Sequence, residues 1–98
     1  MRLSTFNAAM PAKSIHKPEY QDLLKLLREI RVKAGLTQAE LATLLNRSQS
    51  SISDIERGSR RLDTLQLRDY CLACGQDPAS FIRQLENAIA DGPNSYSL

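Results

Sequence analysis

The stretch Thr37–Gly58, TQAELATLLNRSQSSISDIERG, restricts what this chain can fold into more than any other part of it. It carries the pattern of two short helices separated by a tight turn. Thr37-Gln38-Ala39-Glu40 has the form of a capping box, with Thr37 capping the first turn and Glu40 able to reach back to the Thr37 amide. Leu41, Ala42 and Leu45 follow at helical spacing and form an inner face. Asn46 tolerates a left-handed turn conformation, and Ser48 can cap a second helix. Only Ile52 and Ile55 anchor that helix, and Gly58 ends it. Its other positions, Gln49, Ser50, Ser51, Ser53, Asp54 and Arg57, are polar, so it is not a core helix.

The flanks predict the rest of a helical core. Pro18 suits the first turn of a helix and Glu19 its positive end. Tyr20, Leu23, Leu24, Leu27 and Ile30 recur at three- and four-residue steps to about Lys33, and Gly35 stops the helix. After the basic loop Ser59-Arg60-Arg61, Asp63-Thr64-Leu65-Gln66 repeats the capping-box form, and a helix is expected to Cys74, closed by Gly75. Asp77-Pro78 opens a fifth helix carrying Phe81, Ile82, Leu85, Ala88 and Ile89, which fades by Asp91. No segment has the alternation of a strand. The expectation is an all-α, compact five-helix globule containing a helix-turn-helix. Residues 1–15 read as a flexible N-terminal arm, 16–91 as the folded domain and 92–98 as a flexible tail.

Composition narrows the setting. Ninety-eight residues make one domain, and with no Trp and 5% aromatics its core must be filled by Leu, Ile and Ala. There is no apolar run of about eighteen residues and no apolar N-terminal signal core, and two Cys outside a secretory context fit a reducing cytosol. A cytoplasmic location is expected. The net charge of +2 divides unevenly: residues 1–27 carry +2, residues 28–61 carry +3 and residues 62–98 carry −3. That asymmetry suits an anionic partner for one face, and equally suits ordinary scatter over a solvated surface.

The polar helix has the groups needed to read DNA. Small hydroxyls and amides hydrogen-bond base edges without steric bulk. Gln49 can pair bidentately with adenine, Asp54 can accept from a cytosine amino group, and Ser50 and Ser53 can reach bases. Backbone contacts would come from Gln38, at the start of the preceding helix where free amides point outward, from Ser48 and Ser51, and from Arg47, Arg57, Arg60 and Arg61 around the polar helix. Each feature taken singly also has an ordinary use. Capping boxes occur in many helical proteins, Ser48 can serve only as a cap, and an Arg pair in a loop is commonly just surface. The combination in fixed order is the specific signal.

That combination has a family resemblance. Arg31-Val-Lys-Ala-Gly-Leu-Thr-Gln-Ala-Glu-Leu-Ala, then Ser48, Ile52, Ile55-Glu56 and Gly58, resembles the phage repressor/Cro-type (Xre) helix-turn-helix family, whose domain is lambda-repressor-like. The likeness runs from about Leu23 to Leu85. It implies that the third of five helices enters the major groove, with Gln38, Ser48, Gln49, Ser50, Ser51, Ser53 and Asp54 as the reading surface and Arg57, Arg60 and Arg61 on the backbone. It also implies a structural ion pair between Arg31 and Glu56. The chain departs from the family in having Asn46 where Gly is frequent, and Arg47 where an apolar residue is frequent. The second departure predicts that Arg47 points outward, toward solvent or a phosphate.

Together these features predict a sequence-specific, double-stranded-DNA-binding transcriptional regulator, a repressor acting as a symmetric homodimer. Exposed apolar residues among Leu72, Phe81, Ile82, Leu85 and Ile89 are candidates for the dimer surface, though some must close the core. The alternative is an antitoxin-like or adaptor module of the same fold that binds a protein partner. An enzyme is not expected, because no nucleophile–base set or phosphate loop is present. No cofactor and no metal are expected either. Cys71 and Cys74 form a lone C-x-x-C, the only His is His16, far off next to the arm, and buried Cys acts as a small hydrophobe.

Overall fold

The computed structural model describes residues 17–91 and contains, among them, five helices and no strand. They are α1 (Pro18–Lys33), α2 (Gln38–Leu44), α3 (Gln49–Arg57), α4 (Thr64–Ala73) and α5 (Pro78–Asp91). The expected arm at 1–15, His16 and the tail at 92–98 lie outside the described residues.

Local chemistry sets the boundaries. Both halves of the Thr37 capping box form: Thr37 Oγ1 accepts from the Glu40 amide at 3.0 Å, and Glu40 Oε1 accepts from the Thr37 amide at 2.9 Å. The second box forms likewise, with Asp63 Oδ1 2.8 Å from the Gln66 amide and Gln66 Oε1 2.9 Å from the Asp63 amide. Ser48 Oγ caps α3 through the Ser51 amide at 3.1 Å, and Asp77 Oδ2 caps α5 through the Ser80 amide at 3.0 Å. Between α2 and α3 the chain reverses through Asn46, which holds φ at 56° and is the one non-glycine in the left-handed region among the described residues. Gly58, at φ 85°, ends α3. Its amide reaches the Ile55 carbonyl at 3.1 Å, and the Ser59 amide reaches the Asp54 carbonyl at 2.9 Å, a wrap that a side chain at Gly58 would strain.

Every helix contributes to one core: Leu24, Leu27 and Ile30 from α1, Leu41 and Ala42 from α2, Ile52 and Ile55 from α3, Tyr70 and Cys71 from α4 with Cys74 at its cap, and Phe81 from α5. α2 lies along α3, α1 packs on α3 and α5, and α4 packs on α5 and α2. The polar α3 is thus held on its apolar side by α1 and α2, leaving its opposite side to solvent. Phe81 is wholly buried and closes the core. Of the other late apolar residues, Leu72 and Ile82 are exposed, while Leu85 and Ile89 are half-buried.

Cys71 and Cys74 are free and buried, and burial pushes both thiols up to about 11. They pack as apolar groups. Among the described residues no group of three or more His, Cys, Asp or Glu side chains could hold a metal ion, and no helix is long and apolar enough to cross a membrane.

Candidate nucleic-acid interface

A buried carboxylate lies beneath the exposed face of α2 and α3. The Glu56 side chain is 4% exposed, and four hydrogen bonds converge on it. Arg31 donates twice, Nε to Oε2 at 2.7 Å and Nη2 to Oε1 at 3.0 Å, and its Nη1 donates to the Leu36 carbonyl at 2.9 Å. The Tyr70 hydroxyl donates to Oε2 at 2.5 Å and lies 3.3 Å from the Leu27 carbonyl. Gln38 Nε2 donates to Oε1 at 3.1 Å. Burial alone would raise the Glu56 carboxyl, but the hydrogen bonds from Arg31, Tyr70 and Gln38 outweigh it and hold its pKa below the usual carboxylate range. The bond to Glu56 in turn raises the Arg31 guanidinium, and burial followed by the neighbouring Glu56 raises the Tyr70 phenol.

The network continues to the surface. Gln49 Nε2, in the first turn of α3, donates to Gln38 Oε1 at 2.7 Å. The order of donors along this chain is forced. An ionised carboxylate only accepts, so Gln38 must turn its NH2 toward Glu56 and its oxygen toward Gln49. Gln49 must then donate. One Nε2 hydrogen and the Oε1 lone pairs of Gln49 remain for a ligand, and its side chain is exposed.

The other candidate residues form separate groups. Arg57 pairs with Asp54 and donates from Nη1 to Ser53 Oγ at 2.9 Å, so these three side chains satisfy one another on the later turns of α3. Ser48 Oγ lies 3.2 Å from Ser50 Oγ, both on the exposed entry to α3. Arg60 is exposed in the loop after α3, and Arg61 lies over the Tyr20 ring with 5.8 Å to its centroid.

Two positions differ from expectation. Ser51 was expected on the backbone-contacting surface, but it is only 8% exposed, and its hydroxyl accepts from Arg47 Nη1 at 3.2 Å. The first turn of α3 directs Ser51 inward beside Ile52. Arg47 was expected to point outward but is half-buried. It lines one small cavity together with Ile55, Leu62 and Tyr70, and its Nη1 is engaged by Ser51.

Sequence reasoning missed two features. Tyr70 received no role, because nothing local marks a tyrosine fourteen residues from Glu56 as its partner. A groove of about 630 Å³ between α1 and the end of α3 was also missed; Lys25, Arg28, Lys33 and Arg57 line it together with Glu29, and Glu56 forms part of its wall. The spacing of Lys25, Arg28 and Lys33 along the outer side of one helix was the available signal. These cations share the groove with Arg57, at the end of α3.

Comparisons with known proteins bear on the family and the fold. Residues 22–86 match the model of a helix-turn-helix domain family. The chain belongs to the Xre-type helix-turn-helix family. Among solved structures it is similar to an XRE-family like protein from Pseudomonas syringae pv. tomato, with 46% identity, a TM-score of 0.70, and coverage of 78% of this chain and 93% of the other. It is also similar to the clp gene regulator ClgR from Corynebacterium glutamicum. One ClgR structure has 27% identity and a TM-score of 0.67 over 76% of this chain and 79% of the other; a second has 26% identity and a TM-score of 0.67 over 79% and 100%. No curated protein matches the sequence. Membership of this family makes the chain a DNA-binding transcriptional regulator.

Proposed function

We propose that this Xre-type protein reads a specific duplex sequence in the major groove with α3, as a symmetric dimer that represses transcription. The observation that carries this reading is the Gln49 amide, held by Gln38 at the tip of α3 with a donor and an acceptor facing outward. That pair of groups matches N7 and N6 of adenine. Ser50 and Ser53 flank it, and Asp54 can accept from a cytosine amino group once Arg57 transfers from Asp54 to a phosphate. Affinity would come from phosphates along the rim: Gln38 through its remaining amide hydrogen, Ser48, Arg57, Arg60 and Arg61, with Lys25, Arg28 and Lys33 continuing the track along α1. In this reading Arg47 and Ser51 support α3 from beneath rather than touch DNA.

Two copies with α3 helices about 34 Å apart would read two half-sites of one operator. The exposed Leu72 and Ile82 are available to such a dimer contact. Selection of bound sites from random duplex DNA by the pure protein tests the proposal. The expected result is a palindromic consensus containing an adenine in each half. Recovery of no consensus would remove the specific-regulator reading, and a toxic small protein co-purifying with the chain would favour the antitoxin-like alternative.

A further inference from the structure

We propose that Tyr70, buried in α4, is a specificity-positioning residue: through its hydrogen bond to Glu56 it fixes the carboxylate that sets which end of the Gln38 and Gln49 amides faces the DNA bases. The proposal rests on the DNA-reading role of Gln49 given above. Tyr70 is fully buried and far along the chain from α3, yet its hydroxyl reaches the same carboxylate as Arg31 and Gln38.

The bonding on Glu56 explains why the phenol matters. Each carboxylate oxygen has two partners: Oε1 receives Arg31 Nη2 and Gln38 Nε2, and Oε2 receives Arg31 Nε and the Tyr70 hydroxyl. Arg31 grips both oxygens of Glu56 and so joins α1 to α3, but a planar fork sets the carboxylate's register more firmly than its tilt. Tyr70, approaching from α4, ties Oε2 to a third helix and so sets the angle at which Oε1 meets Gln38. Because the group is an acceptor only, it imposes a direction on the two amides above it. A neutral amide at position 56 would accept either orientation of Gln38, and Gln49 would then present its donor and acceptor in either order. Base discrimination at that position would be lost beyond whatever stability the missing charge removes.

The experiment compares the full chain with Tyr70→Phe, Glu56→Gln and Gln38→Ala on the selected operator, on operators altered one base pair at a time, and on an unrelated duplex. Thermal unfolding of each variant is recorded alongside. Tyr70→Phe is expected to reduce discrimination at the Gln49 base pair by about 5-fold while leaving discrimination at other positions and binding to the unrelated duplex unchanged. Gln38→Ala, at a half-buried surface position, should lose discrimination at the same base pair, and adding Tyr70→Phe to it should cause no further loss. Glu56→Gln should fail in the same place, which keeps the idea testable should Tyr70→Phe not fold. Uniform weakening at all positions in step with the melting temperature would overturn the proposal, as would full discrimination in Tyr70→Phe or Glu56→Gln. A wild-type chain that selects no consensus overturns the DNA-reading role itself, a result distinct from any variant effect.

Discussion

At the scale of single residues, Gln49 and Arg31 stand at opposite ends of one hydrogen-bonded chain and should fail in opposite ways. Gln49 is exposed and supports no packing. Gln49→Ala is expected to leave stability unchanged and to cost about 1–3 kcal/mol at one base pair, visible in binding isotherms on operator variants. Arg31 is 12% exposed in its side chain, and its removal strands a carboxylate that is 4% exposed. Arg31→Ala should therefore cost about 3–5 kcal/mol in urea unfolding, as expected for breaking one partner of a buried pair. Glu56 also predicts a pH dependence. Its folded pKa lies below the ordinary value of 4.5, so the stability it contributes is fully present above that value and is lost as pH falls through the folded value. Acid titration of the melting temperature should show a limb below about pH 4.5 that is absent from Glu56→Gln.

At the scale of elements, the helix boundaries were legible because their causes are local. Thr37 with Glu40, and Asp63 with Gln66, satisfy one another within a single turn, so their spacing alone announces a helix start. Asn46 and Gly58 were legible for the same reason, since each answers to its own φ. Arg47, Ser51 and Tyr70 depend instead on what other helices bring to them. The sequence shows Arg47 only as a charge, whereas the fold half-buries it on a small cavity shared with Ile55 and Leu62 and bonds it to Ser51, itself buried once α3 is seated on the core. The Arg31–Glu56 pair, twenty-five residues apart, was expected through family resemblance, not from any local pattern. Thr37→Ala and Asp63→Ala should each cost about 1 kcal/mol in thermal or urea unfolding, the ordinary value of a lost cap. On the rim, Arg60→Ala and Arg28→Ala should weaken all duplexes alike and reduce the slope of log affinity against log salt by about one each, measured from 50 to 200 mM salt.

At the scale of the whole molecule, the uneven charge takes on a spatial meaning. The positively charged segment 28–61 contains the end of α1, all of α2 and α3 and the Arg60-Arg61 loop, while the negative segment contains α4 and α5. The middle of the sequence builds the helix-turn-helix face proposed to meet DNA, and the later part builds the support behind it. The described part of the molecule measures 38 × 29 × 19 Å, so two copies lying side by side can hold their α3 helices about one helical turn of DNA apart. Sedimentation with a palindromic duplex should find two chains per operator, and halving the palindrome should reduce this to one.

The buried thiols give the molecule a built-in clock. Cys71 and Cys74 sit at the junction of α4 with the core, both pushed up to about 11, so a folded chain offers an alkylating reagent at pH 8 neither access nor thiolate. Labelling must wait for α4 to leave the core. Its rate under native conditions should therefore count openings of the domain, speed up in Arg31→Ala, and slow when operator DNA is added, with unfolded chains in urea marking the fast limit. A variant whose labelling is fast while its unfolding curve is unchanged would reveal α4 loosening by itself.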